Sequence, residues 1–401
     1  MVHNRYRHAG GEDAVFEAES SLLARMGHTV ALWEETNNSI EGLIGASCTA
    51  LQSVYSIGHA RNMRQRIRGF KPDLVHIHNF FPRMSPSIHI ACRRAGVPVV
   101  QTLHNFRLLC PAATFQSPDG VLCETCTRGI VPWPAMVRGC YRGGRLASLA
   151  VANMLAIHRV LGTWNRNVSR FIALSEFARS KFVAGGIAED QIAVKPNYVE
   201  HDPGMGSARG GFALFVGRLT EDKGVGTLLR AWQSLQSGPK LKIIGNGPLA
   251  SQVARAAAAF PAIQWLGACS REQVKQAMAE AAVLILPSTW YEAFPLVIAE
   301  AFAAGLPIIA SRLGTMQEVI AEGKTGRLFT PGDAVDLAGT VQWIFAHPYE
   351  RETMRYSARA VYKRKYNAAT NYGQLMAIYQ DALAAHSSSP AYCAPELQAI
   401  G

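Results

Sequence analysis

The chain has 401 residues, of which 49% are hydrophobic and 17% are charged, so it is long enough to bury two cores and too apolar to be disordered. Its formal net charge of +11 attracts polyanions such as nucleic acid, phosphorylated substrates or an anionic membrane face, without choosing among them. No run of about 18 uncharged apolar residues occurs, and the N-terminal residues lack the apolar core of a signal peptide, so we expect a cytoplasmic protein without a membrane-spanning helix.

Short apolar strands alternate with helical patterns along the whole chain, which predicts parallel sheets covered by helices. The predicted strands are residues 30–33, 73–78, 98–104 and 170–175 in the first half, and 212–216, 241–245, 283–287 and 307–311 in the second. Predicted helices include residues 15–26, 225–235 and 273–281. Only residues 1–4 precede the first glycine turn, so we expect the first strand to be truncated.

The apolar pattern stops at residues 200–211, where Gly, Pro, Ser and charged residues predict a linker. We therefore expect an N-terminal domain of residues 1–199, a second domain of residues 211–360, and a C-terminal segment of residues 361–401. This last segment contains an amphipathic helical pattern near residues 371–385.

The strongest functional signal lies in residues 288–311. Glu292 and Glu300 are eight residues apart, and Pro295 between them suits the first position of a helix. The amides around Phe294 and Leu296 would then form an anion site at the start of that helix. On spacing alone, an ordinary solvated helix with two glutamates remains an equal alternative.

A second signal lies in residues 212–225, where a predicted buried strand ends at Gly217. Arg218 and Lys223 follow in a loop bounded by glycines. A guanidinium that binds two oxygens and an ammonium that acts as a point charge together suit a diphosphate. Without further support, a surface loop with routine charges is the simpler interpretation.

These motifs, with the turn Gly245-Asn246-Gly247-Pro248 and the sequence GGEDAVFEAESSLLARMGHTV from residue 10, resemble the retaining, GT-B-fold glycosyltransferases of family 4, the group 1 type. The resemblance covers nearly the whole chain. It implies an α/β fold in which two Rossmann-like doubly wound domains face each other across a cleft. The second domain would hold a nucleoside diphosphate sugar, the first would hold the acceptor, and the C-terminal helix would cross back onto the first domain.

The resemblance also implies roles for single residues. Arg218 and Lys223 would bind the diphosphate and stabilise the charge of the leaving group, so that no cofactor and no catalytic metal are expected. Glu292 would contact the transferred sugar and Glu300 the ribose hydroxyls. His104, at the end of a predicted strand, would approach the reacting carbon of the donor; without the resemblance it is better interpreted as a histidine satisfied by a neighbour.

Backbone groups complete the implied donor site. Phe294 and Leu296 would offer amides to phosphate. The other positions that the resemblance assigns to donor binding are Gly10, Gly11, Gly217, Gly247 and Glu318.

Four cysteines, Cys110, Cys123, Cys126 and Cys140, lie in a loop-rich insertion at residues 110–140. Their spacing permits a structural zinc site with four thiolate ligands. A loop with scattered reduced thiols is the simpler interpretation, and disulfides are not expected in a chain without a secretory signal.

Residues 59–71 predict a basic amphipathic helix, because their cations accompany an apolar stripe at helical spacing. Such a helix could lie on an anionic lipid surface or be the solvated side of a helix packed on its own sheet. His76 and His78 share one face of a predicted strand and are expected to be structural or to line the acceptor site.

The resemblance implies a cytoplasmic enzyme, which could attach peripherally to the inner face of the membrane. It would transfer a hexose from a nucleoside diphosphate sugar to a sugar or lipid-linked sugar in cell-surface polysaccharide assembly, meaning lipopolysaccharide, capsule or exopolysaccharide. A sugar-nucleotide epimerase and a non-catalytic nucleotide-sugar-binding protein remain as alternatives. Nucleic-acid binding is not expected, since the sequence has no helix-turn-helix or aromatic-basic signature.

Overall fold

The computed structural model describes residues 1–5, 10–36, 52–127, 129–235 and 238–387. Two sheets, each with six parallel strands, form within these residues. The first sheet has the order β2-β1-β3-β4-β5-β6, with β1 Val2–Arg5, β2 Trp33–Thr36, β3 Val75–Ile77, β4 Val99–Leu103, β5 Arg170–Ala173 and β6 Ile192–Val194. The second has the order β12-β11-β10-β7-β8-β9, with β7 Ala213–Val216, β8 Leu241–Ile244, β9 Ile263–Gly267, β10 Val283–Leu286, β11 Ile308–Ser311 and β12 Gly326–Phe329.

Helices connect the strands and cover both sheets. Those of the first half are α1 Gly11–Arg25, α2 Ile57–Phe70, α3 Ser87–Arg94, α4 Trp133–Arg138, α5 Arg145–Val160, α6 Thr163–Asn167 and α7 Glu176–Ala184. Those of the second half are α8 Val225–Ser234, α9 Ala250–Ala259, α10 Arg271–Glu280, α11 Leu296–Ala303, α12 Gly314–Val319, α13 Ala334–Ala346, α14 Pro348–Lys365 and α15 Ala368–Ser387. The α/β fold class predicted from the alternating pattern is confirmed.

Central strands are the most apolar. All four residues of β10 are buried, as expected of a parallel strand covered by helices on both faces. The strands that the sequence patterns missed, β6, β9 and β12, all lie at sheet edges. In β9 only Ile263 is buried, so its hydrophobic pattern is weak.

Two predicted strand positions differ from the structure. The strand expected at residues 30–33 begins at Trp33, because Trp33 pairs with Val2 where β1 begins. The first strand, β1, has four residues, and each of them pairs with β2.

Within the described residues, α15 and the carboxyl ends of the sheets both supply contacts between the two halves. The predicted linker, residues 200–211, contains no helix or strand, and α15 follows the second sheet. Leu375 and Ile378 of α15 pack against Val100 of β4 and Ile172 of β5, so this helix lies on the first sheet. The end of the predicted C-terminal segment, residues 388–401, lies outside the described residues.

The carboxyl ends of the two sheets also meet. Ser175, which follows β5, lies with its Oγ 2.8 Å from Thr315 Oγ1 at the start of α12. Both hydroxyls donate to the carbonyl of Ala293 in the loop after β10, at 3.1 and 3.0 Å. Open parallel sheets bind ligands at their carboxyl ends, so this junction marks the place to look for a site.

None of the helices in the described ranges combines the length and apolar character needed to cross a bilayer.

Candidate active site

Lys223 and Glu292, two residues predicted for the donor site, form an ion pair between the loops that follow β7 and β10. Lys223 Nζ lies 2.5 Å from Glu292 Oε1, although the two residues are 69 positions apart. The same oxygen accepts hydrogen bonds from Ser288 Oγ at 2.9 Å and Trp290 Nε1 at 3.1 Å. None of these contacts uses Oε2, so one oxygen of a firmly held carboxylate can accept from a ligand.

A glycine brings the two loops together. Gly224 has a φ of +72°, and a Cβ on it would lie 1.8 Å from the carbonyl oxygen of Pro287. The amide of Thr289 donates to the carbonyl of Asp222 at 2.9 Å. Only glycine allows this approach, which places Lys223 beside the end of β10.

The predicted Gly217 and Gly247 lie where the loop after β7 touches the loop after β8. A Cβ on Gly247 would lie 2.6 Å from the carbonyl oxygen of Leu219, and one on Gly245 would lie 1.8 Å from that of Gly217. Arg218 projects from this contact and is exposed, with no hydrogen bond or ion pair to its side chain from the part of the chain that the structure describes. Its guanidinium is thus accessible to an anionic ligand.

In the segment before α11, side chains from elsewhere donate hydrogen bonds to the backbone carbonyls. The backbone amides of this segment can therefore bind other partners. Asn197 Nδ2, beyond β6 of the first sheet, donates to the carbonyl of Phe294 at 3.1 Å. Leu296 is the first residue of α11, and its amide therefore has no acceptor within the helix. Phe294 itself is buried.

Glu300 lies on α11, on the second turn after the predicted phosphate-binding amides. Its side chain is half-buried. Burial raises the pKa of Glu300, while the charges of Arg271 and Lys275 oppose that rise. A partly desolvated carboxyl group of this kind can accept hydrogen bonds from a diol.

In the first domain, His104 belongs to a chain of buried polar groups. His104 Nε2 lies 3.0 Å from His78 Nδ1, and His78 Nε2 lies 3.4 Å from Glu19 Oε2. Lys195 Nζ donates to the other oxygen of Glu19, and the side chains of Glu19 and Lys195 are almost fully buried. The sequence patterns gave no role to Glu19 or Lys195.

The pKa shifts of Glu19, His78 and His104 indicate which atoms of this network carry protons. Burial opposes the ionisation of Glu19, but the Lys195 ammonium and the contact with His78 hold its pKa well below its usual value. Burial lowers the pKa of both His78 and His104, so both are neutral near pH 7. A carboxylate at Glu19 favours the proton of His78 on Nε2, and His78 Nδ1 then accepts from His104 Nε2.

The first turn of α1 carries a further pair of carboxyl groups that the sequence analysis did not assign. Asp13 Oδ2 accepts from the amide of Gly10 at 2.8 Å. Glu12 Oε1 accepts from Asn105 Nδ2 at 2.8 Å, and burial raises the pKa of Glu12. A Cβ on Gly10 or Gly11 would meet nothing within 4 Å, so both glycines border open space. The acidic pair directly after two glycines was the available signal.

Two predicted residues make contacts that the motifs did not suggest. Glu318, assigned to the donor, accepts from the amides of Glu176 at 3.1 Å and Phe177 at 2.7 Å, so both of its oxygens cap α7 of the other domain. His76 is bonded through its two nitrogens to Tyr379 of α15 and to Thr102, at 2.7 and 2.8 Å. These are structural contacts.

The four cysteines of the predicted zinc site are free thiols in one region. Burial and the nearby thiols of the other three raise the pKa of Cys140 to about 11, and Arg138 donates to Cys123 Sγ at 3.2 Å. Among the described residues, only Glu19, His76 and His78 form a group of metal-ligand type with donor atoms within 4.8 Å of one another. The four sulfurs therefore form no such group within the described residues, and the zinc site stays a prediction.

The group Glu19, His76 and His78 does not fit a metal either. Lys195 already supplies a cation to Glu19. Both nitrogens of His76 are bonded to hydroxyl groups. We therefore assign this group to the buried ion-pair network.

Comparison with known proteins agrees with this architecture. The family model described as "Glycosyl transferases group 1" matches residues 208–361, and the one described as "Glycosyl transferase 4-like domain" matches residues 15–198, so that together they cover both halves. The chain belongs to the group 1 glycosyltransferases. The group 1 family and the GT-B fold predicted from the motifs are thus confirmed, while retention and family 4 stay predictions.

Among its relatives, this glycosyltransferase is 26% identical over 324 residues to the sulfoquinovosyl transferase of Arabidopsis thaliana, with 78% of the chain and 58% of the relative covered. It is 29% identical over 236 residues to the phosphatidyl-myo-inositol mannosyltransferase of Mycobacterium leprae, with 55% of the chain and 61% of the relative covered. The chain thus spans about three-fifths of the length of these relatives.

Solved structures show the same fold. Anabaena HepE in complex with UDP superposes with a TM-score of 0.67 at 18% identity, covering 94% of this chain and 98% of HepE. The sucrose-phosphate synthase of Thermosynechococcus elongatus has a TM-score of 0.69 at 18% identity, with 95% of each chain covered.

Proposed function

We propose that this protein is a retaining, metal-independent hexosyltransferase. It takes a hexose from a nucleoside diphosphate sugar and transfers it to a sugar or lipid-linked sugar acceptor in the assembly of cell-surface polysaccharide. The observation that carries the proposal is the Lys223–Glu292 pair, which lies near the exposed Arg218 where the carboxyl ends of both sheets meet.

The donor would span the second domain. Arg218 and Lys223 bind the diphosphate, with the amides at Phe294 and Leu296 adding donors. Glu300 accepts from the ribose hydroxyls. The HepE structure is a complex with UDP, and UDP is therefore the first nucleotide to test.

The reacting end of the donor would lie between the domains. Glu292 Oε2 accepts from a hydroxyl of the transferred hexose and fixes its orientation. As the bond from the sugar to phosphate breaks, the acceptor oxygen bonds to the sugar, its proton passes to an oxygen of the leaving diphosphate, and negative charge develops on that diphosphate in the transition state. Arg218 and Lys223 stabilise that charge from positions fixed before the reaction, which is the role that a metal ion fills in other enzymes.

The first domain would supply the acceptor side. His104, neutral and held by His78, can accept a hydrogen bond on Nδ1. Glu12, with a raised pKa and one oxygen held by Asn105, lies beside it along the same edge of the sheet. We place the enzyme in the cytoplasm, at the inner face of the membrane where lipid-linked acceptors are assembled.

The test is a thermal-shift panel of UDP, GDP and ADP with their sugars, each with and without EDTA. We expect one nucleotide to raise the melting temperature, EDTA to leave the shift unchanged, and Arg218→Ala to abolish it. Product analysis with the stabilising donor then separates the activities: a transferase forms product only with an acceptor, whereas an epimerase converts the donor alone. No shift with any nucleotide would contradict the proposal.

A further inference from the structure

One side of the first domain exposes apolar side chains along a whole helix. On α5, the exposed residues Leu146, Leu149, Asn153, Ile157 and Val160 recur every three or four positions and share one face. Leu146 is 83% exposed and Val160 is 68% exposed. The opposite face of α5, with Val151, Met154 and Leu155, is buried in the core. A surface helix ordinarily has polar residues outside, so the apolar outer face needs a partner.

The neighbouring helix α4 extends this surface. Trp133 and Val137, four residues apart, are 62% and 60% exposed. The amide of Tyr141, between the two helices, donates to Ser148 Oγ of α5 at 2.9 Å, which ties α4 to α5. We call the surface formed by Trp133, Val137, Leu146, Leu149, Ile157 and Val160 the apolar face.

The exposure is concentrated here. Of the 21 large hydrophobic side chains that are exposed among the described residues, ten lie between residues 121 and 161. Single exposed hydrophobic residues are normal on a protein surface, whereas a contiguous group marks an interaction site.

The charges beside the apolar face select the partner. Residues 129–161 contain no aspartate or glutamate. Arg138, Arg142 and Arg145 are exposed in the same segment, at the end of α4 and the start of α5. Apolar side chains that include a tryptophan, bordered by arginines without acidic residues, match the interface of an anionic bilayer.

The helix that the sequence predicted for lipid contact is different. On α2, Ala60, Met63 and Ile67 in the middle of the predicted apolar stripe are buried in the core, whereas Ile57 and Phe70 at its two ends are exposed. Most of that stripe therefore packs on the protein's own sheet.

We infer that the apolar face docks this protein on an anionic lipid bilayer, with Trp133 and the aliphatic side chains in the interface and the three arginines on the phosphate groups of the lipids. Docking goes beyond the proposed transfer reaction and does not depend on it. It would bring the acceptor-side domain to the membrane surface.

The test is co-sedimentation of the full chain, without nucleotide, with vesicles of phosphatidylcholine alone or mixed with phosphatidylglycerol. We expect binding only to the anionic vesicles. In Trp133→Ser/Leu146→Ser, this affinity should fall by about tenfold or more, because two side chains no longer leave water on binding. Arg138→Ser/Arg142→Ser/Arg145→Ser should bind more weakly and with a smaller dependence on salt.

Matched controls lie on the second domain. Tyr349 and Val335 are 82% and 78% exposed, so Tyr349→Ser/Val335→Ser removes a similar apolar area and should leave vesicle binding unchanged. All four substituted side chains are exposed, and equal melting temperatures would show that the variants fold. Unchanged binding by Trp133→Ser/Leu146→Ser would overturn the inference. So would a dimer in light scattering that the same variant dissociates while the wild type does not bind vesicles, since the partner would then be a second copy of the chain.

Discussion

At the residue level, the Lys223 ammonium can serve two anions at once. It has three N–H donors, and one of them donates a hydrogen bond to Glu292 Oε1 at 2.5 Å. The other two donors can bind phosphate oxygens. The lysine can thus hold both the Glu292 carboxylate, proposed to bind the sugar, and the leaving group. Arg218, which is exposed in the same loop after β7, supplies the second cation.

We expect Arg218→Ala, Lys223→Ala and Glu292→Ala each to lower kcat by about a hundredfold or more, the scale observed when a fixed charge-stabilising group is removed. Steady-state turnover with the donor identified by thermal shift is the measurement. Lys240→Ala, which removes an exposed lysine just before β8, is the control and should keep wild-type turnover. Near-normal turnover in any one of the three variants would remove that residue from the mechanism.

The buried Lys195–Glu19 pair allows a second test at this scale. Lys195→Met leaves the Glu19 carboxylate buried without its cation, which should cost about 3–5 kcal/mol of unfolding free energy. Glu19→Gln/Lys195→Met removes both charges and should recover most of that loss in a denaturant titration. Because the amide introduced at position 19 can donate to His78, the proton order towards His104 is no longer fixed, and kcat should stay low while the donor KM is unchanged. Full recovery of kcat in the double variant would show that the network is only structural.

At the element level, the site depends on how closely two strand-end loops approach. Gly224 begins the turn into α8 with a positive φ and touches the Pro287 carbonyl, and this contact brings Lys223 to Glu292. The position of the Lys223 ammonium, the proposed catalytic cation, is thus set by a residue without a side chain. Neither loop could hold this geometry alone.

Gly224→Ala should lower the unfolding free energy by about 2 kcal/mol or more, because the new Cβ requires a left-handed backbone and collides with a carbonyl. Donor affinity should fall as well, since Lys223 is displaced. Gly226→Ala is the matched control: this glycine lies within α8, where a Cβ meets the flexible ends of Arg230 at 3.3 Å and Glu221 at 3.6 Å and no backbone. It should be neutral or stabilising by up to about 1 kcal/mol. Equal effects of the two substitutions in a denaturant titration would contradict this account.

At the level of the whole molecule, few polar contacts hold the two domains together at the site. Glu318 caps α7 across the junction, Ser175 and Asn197 donate to loop carbonyls of the second domain, and Ser175 Oγ lies 2.8 Å from Thr315 Oγ1. Such contacts can break and re-form as domains close around a substrate. Glu318 therefore has a role between the domains.

Glu318→Ala tests whether this residue joins the domains or binds the donor. We expect nucleotide affinity by calorimetry to stay near the wild-type value, and the radius of gyration in solution scattering to increase as the domains separate. Arg218→Ala is the comparison, since it should lose nucleotide affinity without changing the radius. A loss of affinity in Glu318→Ala equal to that in Arg218→Ala would return Glu318 to the donor site.

The sequence by itself determined the fold class and the family, and it singled out Lys223 and Glu292, which the structure pairs. Central strands are buried on both faces and therefore consist of short runs of apolar residues, which are easy to recognise. Glu292 and Lys223 lie in motifs with a recognisable spacing. Edge strands such as β6 and β9 were not predicted, because a half-exposed strand has a weaker apolar pattern.

Only the tertiary structure decided which distant groups meet. Glu19 and Lys195 are 176 positions apart, and nothing local in either segment marks them as a buried pair. The role of Glu318 between the domains and the exposure of the apolar face likewise depend on how the two halves and the helices pack. Periodicity shows that a helix has an apolar stripe, but only packing decides how much of it is covered: the middle of the α2 stripe is buried, and the outer stripe of α5 is exposed.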